Sequence, residues 1–331
     1  MRKIITIEEH LAGAPINAHL AKYAALDAPY TAAAHGKGRP YDADPELFAD
    51  LDHRRIADMD QHGISMQILS CPAKSQLLPA EEAPAIVSET NDFIAGVVKK
   101  HPHRYGAFGL LPWSNPEEAA KEAQRVKSMG FHGILLAGRA TGGEAFLDDA
   151  RFLPVLEACE ALALPIYVHP GAPLKSVREP YYGGLGDELS ARLSLHGWGW
   201  HNEAGIQVLR TILAGRFDRF PKLQLIAGHW GEMVPFMLSR LDQSMPQCVT
   251  GLERTVTETF RENVYVTPSG IFDYPQLKFC VEVLGADRII HSVDCPFISN
   301  AGAQPFVENA PISEPEKERI AHLNAEKLFG L

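Results

Sequence analysis

The feature that most constrains the fold of this chain is a regular alternation of short apolar segments with helical patterns. Eight segments rich in aliphatic residues, each bounded by polar residues, are typical of buried strands. They begin near Ile4, Ser65, Tyr105, Gly133, Pro165, Leu223, Val264 and Arg288. Eight strands alternating with helices predict an α/β fold, specifically a (β/α)8 TIM barrel. An open doubly wound sheet is the alternative, but no glycine-rich phosphate fingerprint follows the first strand.

One of the helical segments carries the signals for both of its ends. Asn115 suits the N-cap, Pro116 suits the first turn, and Glu118 completes a capping-box-like pattern. Gly130 is a typical stop signal. These residues predict a helix between the third and fourth strands.

Two connections between predicted strands are unusually long, roughly residues 11–45 and residues 171–203. Both follow strand C-termini, so we expect them to cap the face of the barrel where active sites form. The second contains Trp198 and Trp200, which could stack on a planar substrate. A packed cap or a subunit contact is an equally good interpretation. No linker or repeat divides the chain, and residues 1–331 are expected to form a single domain.

Composition excludes several classes of partner. The formal net charge of -10 argues against a nucleic-acid backbone as the main ligand. No apolar run approaches the ~20 residues that span a bilayer, and the first residues contain no apolar signal region. The five cysteines are scattered without a CxxC pair, unlike a disulfide framework. We therefore expect a cytoplasmic protein with no membrane or nucleic-acid partner.

Side chains that can bind a metal ion recur at the predicted strand ends. Glu8 and His10 close the first strand, and three further candidates follow later strands, namely His169, His229 and Asp294. Because alternate strand residues share a face, Glu8 and His10 point toward one spot. Each of these residues alone is more often a solvated or structural side chain. Imidazoles and carboxylates that converge at strand ends together predict a site for a divalent ion of the zinc or manganese type.

Five motifs give the chain a resemblance to a known family. It resembles the amidohydrolase superfamily, in the branch of nonoxidative aromatic-acid decarboxylases that act on γ-resorcylate, 2,3-dihydroxybenzoate or 5-carboxyvanillate. The likeness covers most of the chain, and the motifs are weak separately but specific jointly. They are Glu8-Glu9-His10, Tyr167-Val168-His169-Pro170, Phe217-Asp218-Arg219-Phe220-Pro221-Lys222-Leu223, Gly228-His229-Trp230-Gly231-Glu232 and Asp294-Cys295-Pro296-Phe297.

The resemblance implies four metal ligands, namely Glu8, His10, His169 and Asp294. Binuclear amidohydrolases commonly bridge two metals through a lysine on strand four, whereas this strand begins Gly-Ile-Leu-Leu. The resemblance therefore favours one metal ion. Cys295 stands where relatives usually have an aromatic residue, and we interpret it as a packed thiol.

The resemblance also implies residues that contact the substrate. His229 is similar to a histidine beside the substrate, and Glu232 supports it three residues later. Arg240 matches an arginine that reaches the active site of the neighbouring subunit, although a solvated helix-face arginine is an equal alternative. Trp198 and His201, in the second long connection, are further candidates for substrate binding. Relatives of this kind imply a homo-oligomer, a dimer or a tetramer.

The implied reaction is the nonoxidative decarboxylation of an ortho-hydroxy aromatic carboxylic acid to a phenol and CO2. Asp294 would deliver a proton to the carboxyl-bearing ring carbon, while His229 and Glu232 hold the phenolic oxygen. The alternative is a mononuclear hydrolase, such as a lactonase, in which a metal-activated water attacks with Asp294 as general base. The sequence leaves the ring substituents open, and the aromatic carboxylate is predicted only as a class.

Overall fold

The computed structural model of the protein describes residues 2–35, 44–140 and 145–331. Within these ranges, seven parallel strands hydrogen-bond in chain order into one curled sheet. All seven begin within two residues of their predicted starts. They are β1 (Ile5–His10), β2 (Met66–Ser70), β3 (Tyr105–Gly109), β4 (Gly133–Ala137), β5 (Ile166–His169), β6 (Leu225–Ala227) and β7 (Val264–Val266).

The eighth predicted strand is reduced to two isolated bridges. Ile289 pairs with Val266 of β7, and Ser292 pairs with Ile7 of β1, both in parallel. The segment 289–292 therefore lies between the two ends of the curled sheet. The α/β barrel prediction is confirmed, with seven strands and a short bridging segment in place of the eighth.

Apolar side chains from every strand meet inside the curled sheet. The last helix closes one end of this column, because Phe329 packs on Phe108 with ring centroids 5.6 Å apart. The carbonyl of Phe329 also lies 3.2 Å from Nδ1 of His132, just before β4, so this is the N-terminal end of the strands. The column consists of Ile5, Ile7, Ile68, Phe108, Leu135, Ala137, Tyr167, Ile226, Tyr265 and Ile290, with Ala325 and Phe329.

Helices surround the sheet, and a larger apolar cluster packs between the two layers. The predicted capping of one helix is confirmed, since the Asn115 side chain accepts a hydrogen bond from the Glu118 amide at 3.3 Å. The α-helices are Ile16–Asp27, Pro45–Ala49, Arg54–Gln61, Ala83–Lys100, Pro116–Ser128, Leu153–Ala161, Lys175–Tyr182, Asp187–Ser194, Gly199–Leu213, Arg216–Arg219, Leu238–Ser244, Gln247–Thr250, Val256–Asn263, Tyr274–Leu284, Ala303–Glu308, Glu314–Glu318 and Asn324–Phe329.

The two long connections pack against each other. A small apolar cluster joins residues after the helix Ile16–Asp27 to residues of the second connection. Part of the first connection, residues 36–43, lies outside the described residues. No helix in the described ranges is both long and apolar enough to cross a membrane. The members of the cluster are Ala28, Ala34, Ala172, Ala191 and Leu195.

Candidate metal and substrate site

The four predicted metal ligands lie together at the C-terminal ends of the strands. One donor atom from each of Glu8, His10, His169 and Asp294 lies within 4.8 Å of the others. The His10 Nε2 atom is 3.0 Å from Asp294 Oδ1, and the His169 Nε2 atom is 3.7 Å from Glu8 Oε1. We call these four residues the metal-ligand cluster.

Two of these ligands sit on unusual backbone. Glu8 has a φ of 65° and Asp294 a φ of 68°, a left-handed conformation that is uncommon for residues other than glycine. The register of β1 against β2 shifts between Thr6 and Glu9, which indicates a bulge at Glu8. Bulges and left-handed residues concentrate at functional sites, where they redirect side chains.

Hydrogen bonds on the outer side of the cluster orient the ligands. The Nδ1 atom of His10 lies 2.9 Å from Ser70 Oγ, and Nδ1 of His169 lies 2.9 Å from the Pro170 carbonyl. Ser269 Oγ donates a hydrogen bond to Glu8 Oε2. Because each Nδ1 is engaged, each Nε2 is left to face the cluster, which is the arrangement of metal-binding histidines.

Burial leaves the two carboxyl groups of the cluster without a compensating positive charge. Burial and the nearby Asp294 charge raise the pKa of Glu8 well above its usual range, and burial likewise raises the pKa of Asp294. Burial lowers the pKa of His10 to about 3, so this imidazole is neutral. Within the described residues, Glu8 Oε1, His10 Nε2 and Asp294 Oδ1 are buried without a hydrogen-bond partner. A divalent cation would satisfy these atoms and compensate both carboxylates, so the residues fit such an ion.

A second group of titratable side chains lies beside the first. Nδ1 of His229 is 2.9 Å from Glu232 Oε1, and Nδ1 of His201 is 2.8 Å from Glu232 Oε2. Burial raises the pKa of Glu232, but the two imidazoles outweigh it and bring the pKa down to about 2. We call these three residues the His–Glu cluster, and its carboxylate is ionised and bonded at both oxygens.

The two imidazoles of the His–Glu cluster differ from each other. Burial lowers the pKa of His229 despite the neighbouring Glu232 charge. Burial also opposes protonation of His201, but the Glu232 charge and hydrogen bond and the His196 carbonyl outweigh it and raise its pKa. His229 is therefore the more readily neutral imidazole, and His201 the more readily protonated one.

An unusual turn carries His229 and Glu232. Residues 229–233 all have positive φ, between 44° and 81°, which makes one turn of left-handed backbone directly after β6. Non-glycine residues rarely adopt this conformation consecutively, because Cβ crowds the following carbonyl oxygen. Gly228 permits the close approach before the turn, since a Cβ there would lie 2.7 Å from the Tyr167 hydroxyl. The turn brings His229 and Glu232 to the strand end.

One cavity of about 160 Å³ has two members of each cluster on its walls. It is close in size to an apolar cavity of about 150 Å³ that accommodates benzene. The second long connection supplies part of its lining, as predicted for a loop that caps this face. The lining residues are His169, Pro170, His196, Trp200, His201, His229, Ser269, Gly270, Ile271, Asp294, Phe297 and Ile298.

Two predicted substrate-binding residues lie elsewhere. Trp198 is 47% exposed and lines a neighbouring apolar groove of about 570 Å³, while Trp200 is the tryptophan at the cavity. Arg240 is exposed on the helix Leu238–Ser244, which borders the same groove through Leu241. The structure of one chain therefore brings His201 to the cavity but not Trp198 or Arg240.

Sequence reasoning missed Ser269, Phe297 and Ile271 as individual site residues. Ser269 follows β7, so the same strand-end rule that found the ligands would have indicated it. Ile271 and Phe297 have no such signal, because apolar loop residues are usually part of the core. The interpretation of Cys295 is consistent with its burial, which raises the pKa of its thiol.

Comparison with known proteins identifies the family of the chain. Residues 16–331 match the family model described as Amidohydrolase. The chain belongs to this amidohydrolase family. The γ-resorcylate decarboxylase of Polaromonas sp. is 36% identical over 301 residues, which cover 87% of this chain and 90% of that protein. A γ-resorcylate decarboxylase of Rhizobium sp. is 32% identical, with 85% and 88% covered.

Solved structures agree with this amidohydrolase in fold. The 5-carboxyvanillate decarboxylase of Sphingomonas paucimobilis superposes with a TM-score of 0.89 at 31% identity, over 100% of both chains. A dihydroxybenzoic acid decarboxylase of Polaromonas sp., with bound manganese and the inhibitor 2-nitroresorcinol, gives 0.86 at 32% identity, covering 100% of this chain and 98% of that one. By this homology the amidohydrolase is a carboxy-lyase.

Proposed function

We propose that this amidohydrolase catalyses the metal-dependent, nonoxidative decarboxylation of an ortho-hydroxy aromatic carboxylate to the corresponding phenol and CO2. The observation that supports this most strongly is that one cavity is lined both by His169 and Asp294 of the metal-ligand cluster and by two imidazoles of the His–Glu cluster. The first offers a place for an anionic, chelating group, and the second offers imidazoles suited to a hydroxyl group. The decarboxylases named above add support at about 31–36% identity.

Glu8, His10, His169 and Asp294 would hold one divalent ion, manganese or zinc. When bound, this ion supplies Lewis acidity and a template for the carboxylate and the ortho oxygen of the substrate. Two imidazoles with two carboxylates suit both metals. The bound manganese in the Polaromonas structure favours manganese.

Asp294 is proposed to protonate the ring carbon that bears the carboxylate. His229 Nε2 takes the proton of the ortho hydroxyl, since its Nδ1 is engaged with the ionised Glu232. The ring is then a non-aromatic ketone whose carboxylate lies β to the carbonyl. The bond to the carboxylate breaks, its electron pair returns to the ring, and CO2 leaves as aromaticity is restored. His229 returns its proton to the ring oxygen, and Asp294 regains one from solvent, so the net reaction yields the phenol and consumes one proton.

Apolar walls would hold the aromatic ring between the two clusters. Phe297 is fixed by edge contacts with His10 and Phe48, at ring-centroid distances of 5.7 and 5.2 Å. Together with Pro170 and Ile271 it gives the cavity surfaces suited to a planar ring. His201, which is held by its hydrogen bond to Glu232, is proposed to bind a polar substituent of the substrate.

The outer groove supports the proposal of a homo-oligomer. Its exposed apolar side chains include Trp198, Ile206, Phe236 and Met237, between 43% and 52% exposed. Contiguous exposed apolar surface of this kind is typical of protein interfaces. We propose that a second copy covers it, and that Arg240 and Trp198 thereby approach substrate across the interface. We also propose that residues 1–331 form a single domain and that the protein acts in the cytoplasm.

The test is incubation with ortho-hydroxybenzoates in heavy water with added Mn²⁺. Decarboxylation releases CO2 and places one deuterium on the former carboxyl-bearing carbon, which NMR and mass spectrometry detect. Hydrolysis of a lactone without release of CO2 from any hydroxybenzoate would instead identify a hydrolase and reject the proposal.

A further inference from the structure

We propose that Arg55 is a positioning residue for the metal site. Its side chain fixes the backbone segments that carry His10 and Asp294. Arg55 lies on the helix Arg54–Gln61, outside the cavity, and its side chain is fully buried. A buried guanidinium is costly unless its donors are satisfied, so the identity of its acceptors reveals its role. This inference rests on the proposed metal site.

The guanidinium donates hydrogen bonds to three backbone carbonyls in separate parts of the chain. Nη1 donates to the carbonyl of His10 at 3.2 Å and to that of Leu47 at 3.0 Å, and Nη2 donates to that of Cys295 at 3.3 Å. His10 is itself a proposed ligand, and Cys295 directly follows the ligand Asp294. One side chain thus joins the end of β1 to the segment after the eighth strand position.

Two further side chains hold Arg55 and extend the same connection. Its Nε donates to Gln67 Oε1 at 2.7 Å, and Gln67 Nε2 donates to Glu9 Oε2 at 3.1 Å. Glu9 Oε2 lies 3.6 Å from Arg55 Nη2, and Glu9 Oε1 accepts from the Val293 amide at 3.1 Å. Glu9 therefore ties β1 to the residue immediately before Asp294, on the side of β1 opposite Glu8 and His10.

The reason for this network lies in the incomplete eighth strand. β1 and the segment 289–292 share one bridge, Ile7 with Ser292, and a backbone bond from the His10 amide to the Cys295 carbonyl at 2.7 Å. A regular ladder is therefore missing where His10 and Asp294 must meet. Arg55 and Glu9 replace it with side-chain bonds to the same backbone. Groups that orient metal ligands contribute strongly to metal affinity.

The experiment measures the dissociation constant for Mn²⁺ by titration, following free Mn²⁺ by electron paramagnetic resonance. Arg55→Met should weaken binding by about 10–100-fold, as expected for loss of a group that orients ligands. Arg55→Lys should recover part of the affinity, because an ammonium can reach only some of the three carbonyls. The matched control is Arg125→Met, whose side chain joins Glu122, Asp92 and the Ser88 carbonyl between two outer helices.

The control separates positioning from stability. Arg125→Met should lower the melting temperature but leave the Mn²⁺ dissociation constant within about threefold of wild type. An unchanged dissociation constant in folded Arg55→Met would overturn the role of Arg55. If that variant does not fold, Gln67→Met decides the question, with several-fold weaker binding in support and unchanged binding against. A wild-type protein that binds no Mn²⁺ would instead contradict the proposed function itself.

Discussion

The metal-ligand cluster and the His–Glu cluster consist of the same kinds of side chain, and members of both line the same cavity. They differ in how the negative charge of their carboxyl groups is compensated. In the His–Glu cluster, both oxygens of Glu232 accept bonds from imidazoles, and its pKa falls to about 2. In the metal-ligand cluster, Glu8 and Asp294 have raised pKa values, and three buried polar atoms have no hydrogen-bond partner among the described residues.

The difference in pKa follows from the groups that surround each carboxylate. Glu232 has two imidazoles within 2.9 Å, and His201, the more readily protonated of the two, supplies compensating positive charge. Glu8 and Asp294 have each other nearby, together with imidazoles that burial keeps neutral. One cluster is therefore complete by itself and suited to proton exchange, whereas a cation would complete the other.

The largest expected effect is at Asp294, which is proposed to serve both as ligand and as proton donor. Asp294→Asn should lower kcat by at least about 10³-fold, since proton transfer alone contributes about 10²–10⁴-fold. Release of CO2 from the best hydroxybenzoate measures it, with the exposed Asp287→Asn as control. Activity within tenfold of wild type would remove Asp294 from the mechanism.

A smaller effect on turnover, without loss of metal, is expected in the other cluster. Glu232→Gln removes the charge that orients His229 and His201, and kcat should fall about 10²-fold. Elemental analysis should still find one metal ion per chain. Glu8→Gln, its counterpart in the metal-ligand cluster, should lose the ion. Loss of metal in both variants would show that the two clusters are one coupled site.

The smallest expected effect is on stability in acid. The folded-state pKa of Glu232, about 2, is below the ordinary value of 4.5, so its contribution is full above pH 4.5 and is lost as the pH falls toward 2. The stability advantage of wild type over Glu232→Gln should shrink by about 1 kcal/mol between pH 6 and pH 3.5. Urea unfolding at both pH values measures this difference. A constant difference would mean that Glu232 is not ionised in the folded protein.

The strand-end positions of the four proposed ligands could be predicted because they depend on local pattern and on a general rule of topology. Apolar runs locate the strands, and parallel connections bring their C-termini to one face. His10 and His169 follow directly from this. The left-handed turn at 229–233 could not be predicted, since residues such as Trp230 do not favour positive φ and only tertiary contacts maintain it.

The network around Arg55 also escaped prediction, for a related reason. Nothing local distinguishes an arginine on the face of a helix that is buried from one that is solvated. Its partners at His10 and Cys295 are 45 and 240 residues away in the chain. Long-range contacts of this kind depend on how the two ends of the curled sheet come together in the folded protein.

The sequence by itself determined which residues could bind a cation and that they would share one face of an α/β barrel, because periodicity and parallel strand order are local and topological properties. Only the tertiary structure decided which carboxylate has a compensating imidazole and which does not. That outcome depends on burial and on distances of about 3 Å between atoms far apart in the chain, and spacing along the sequence does not encode either of them.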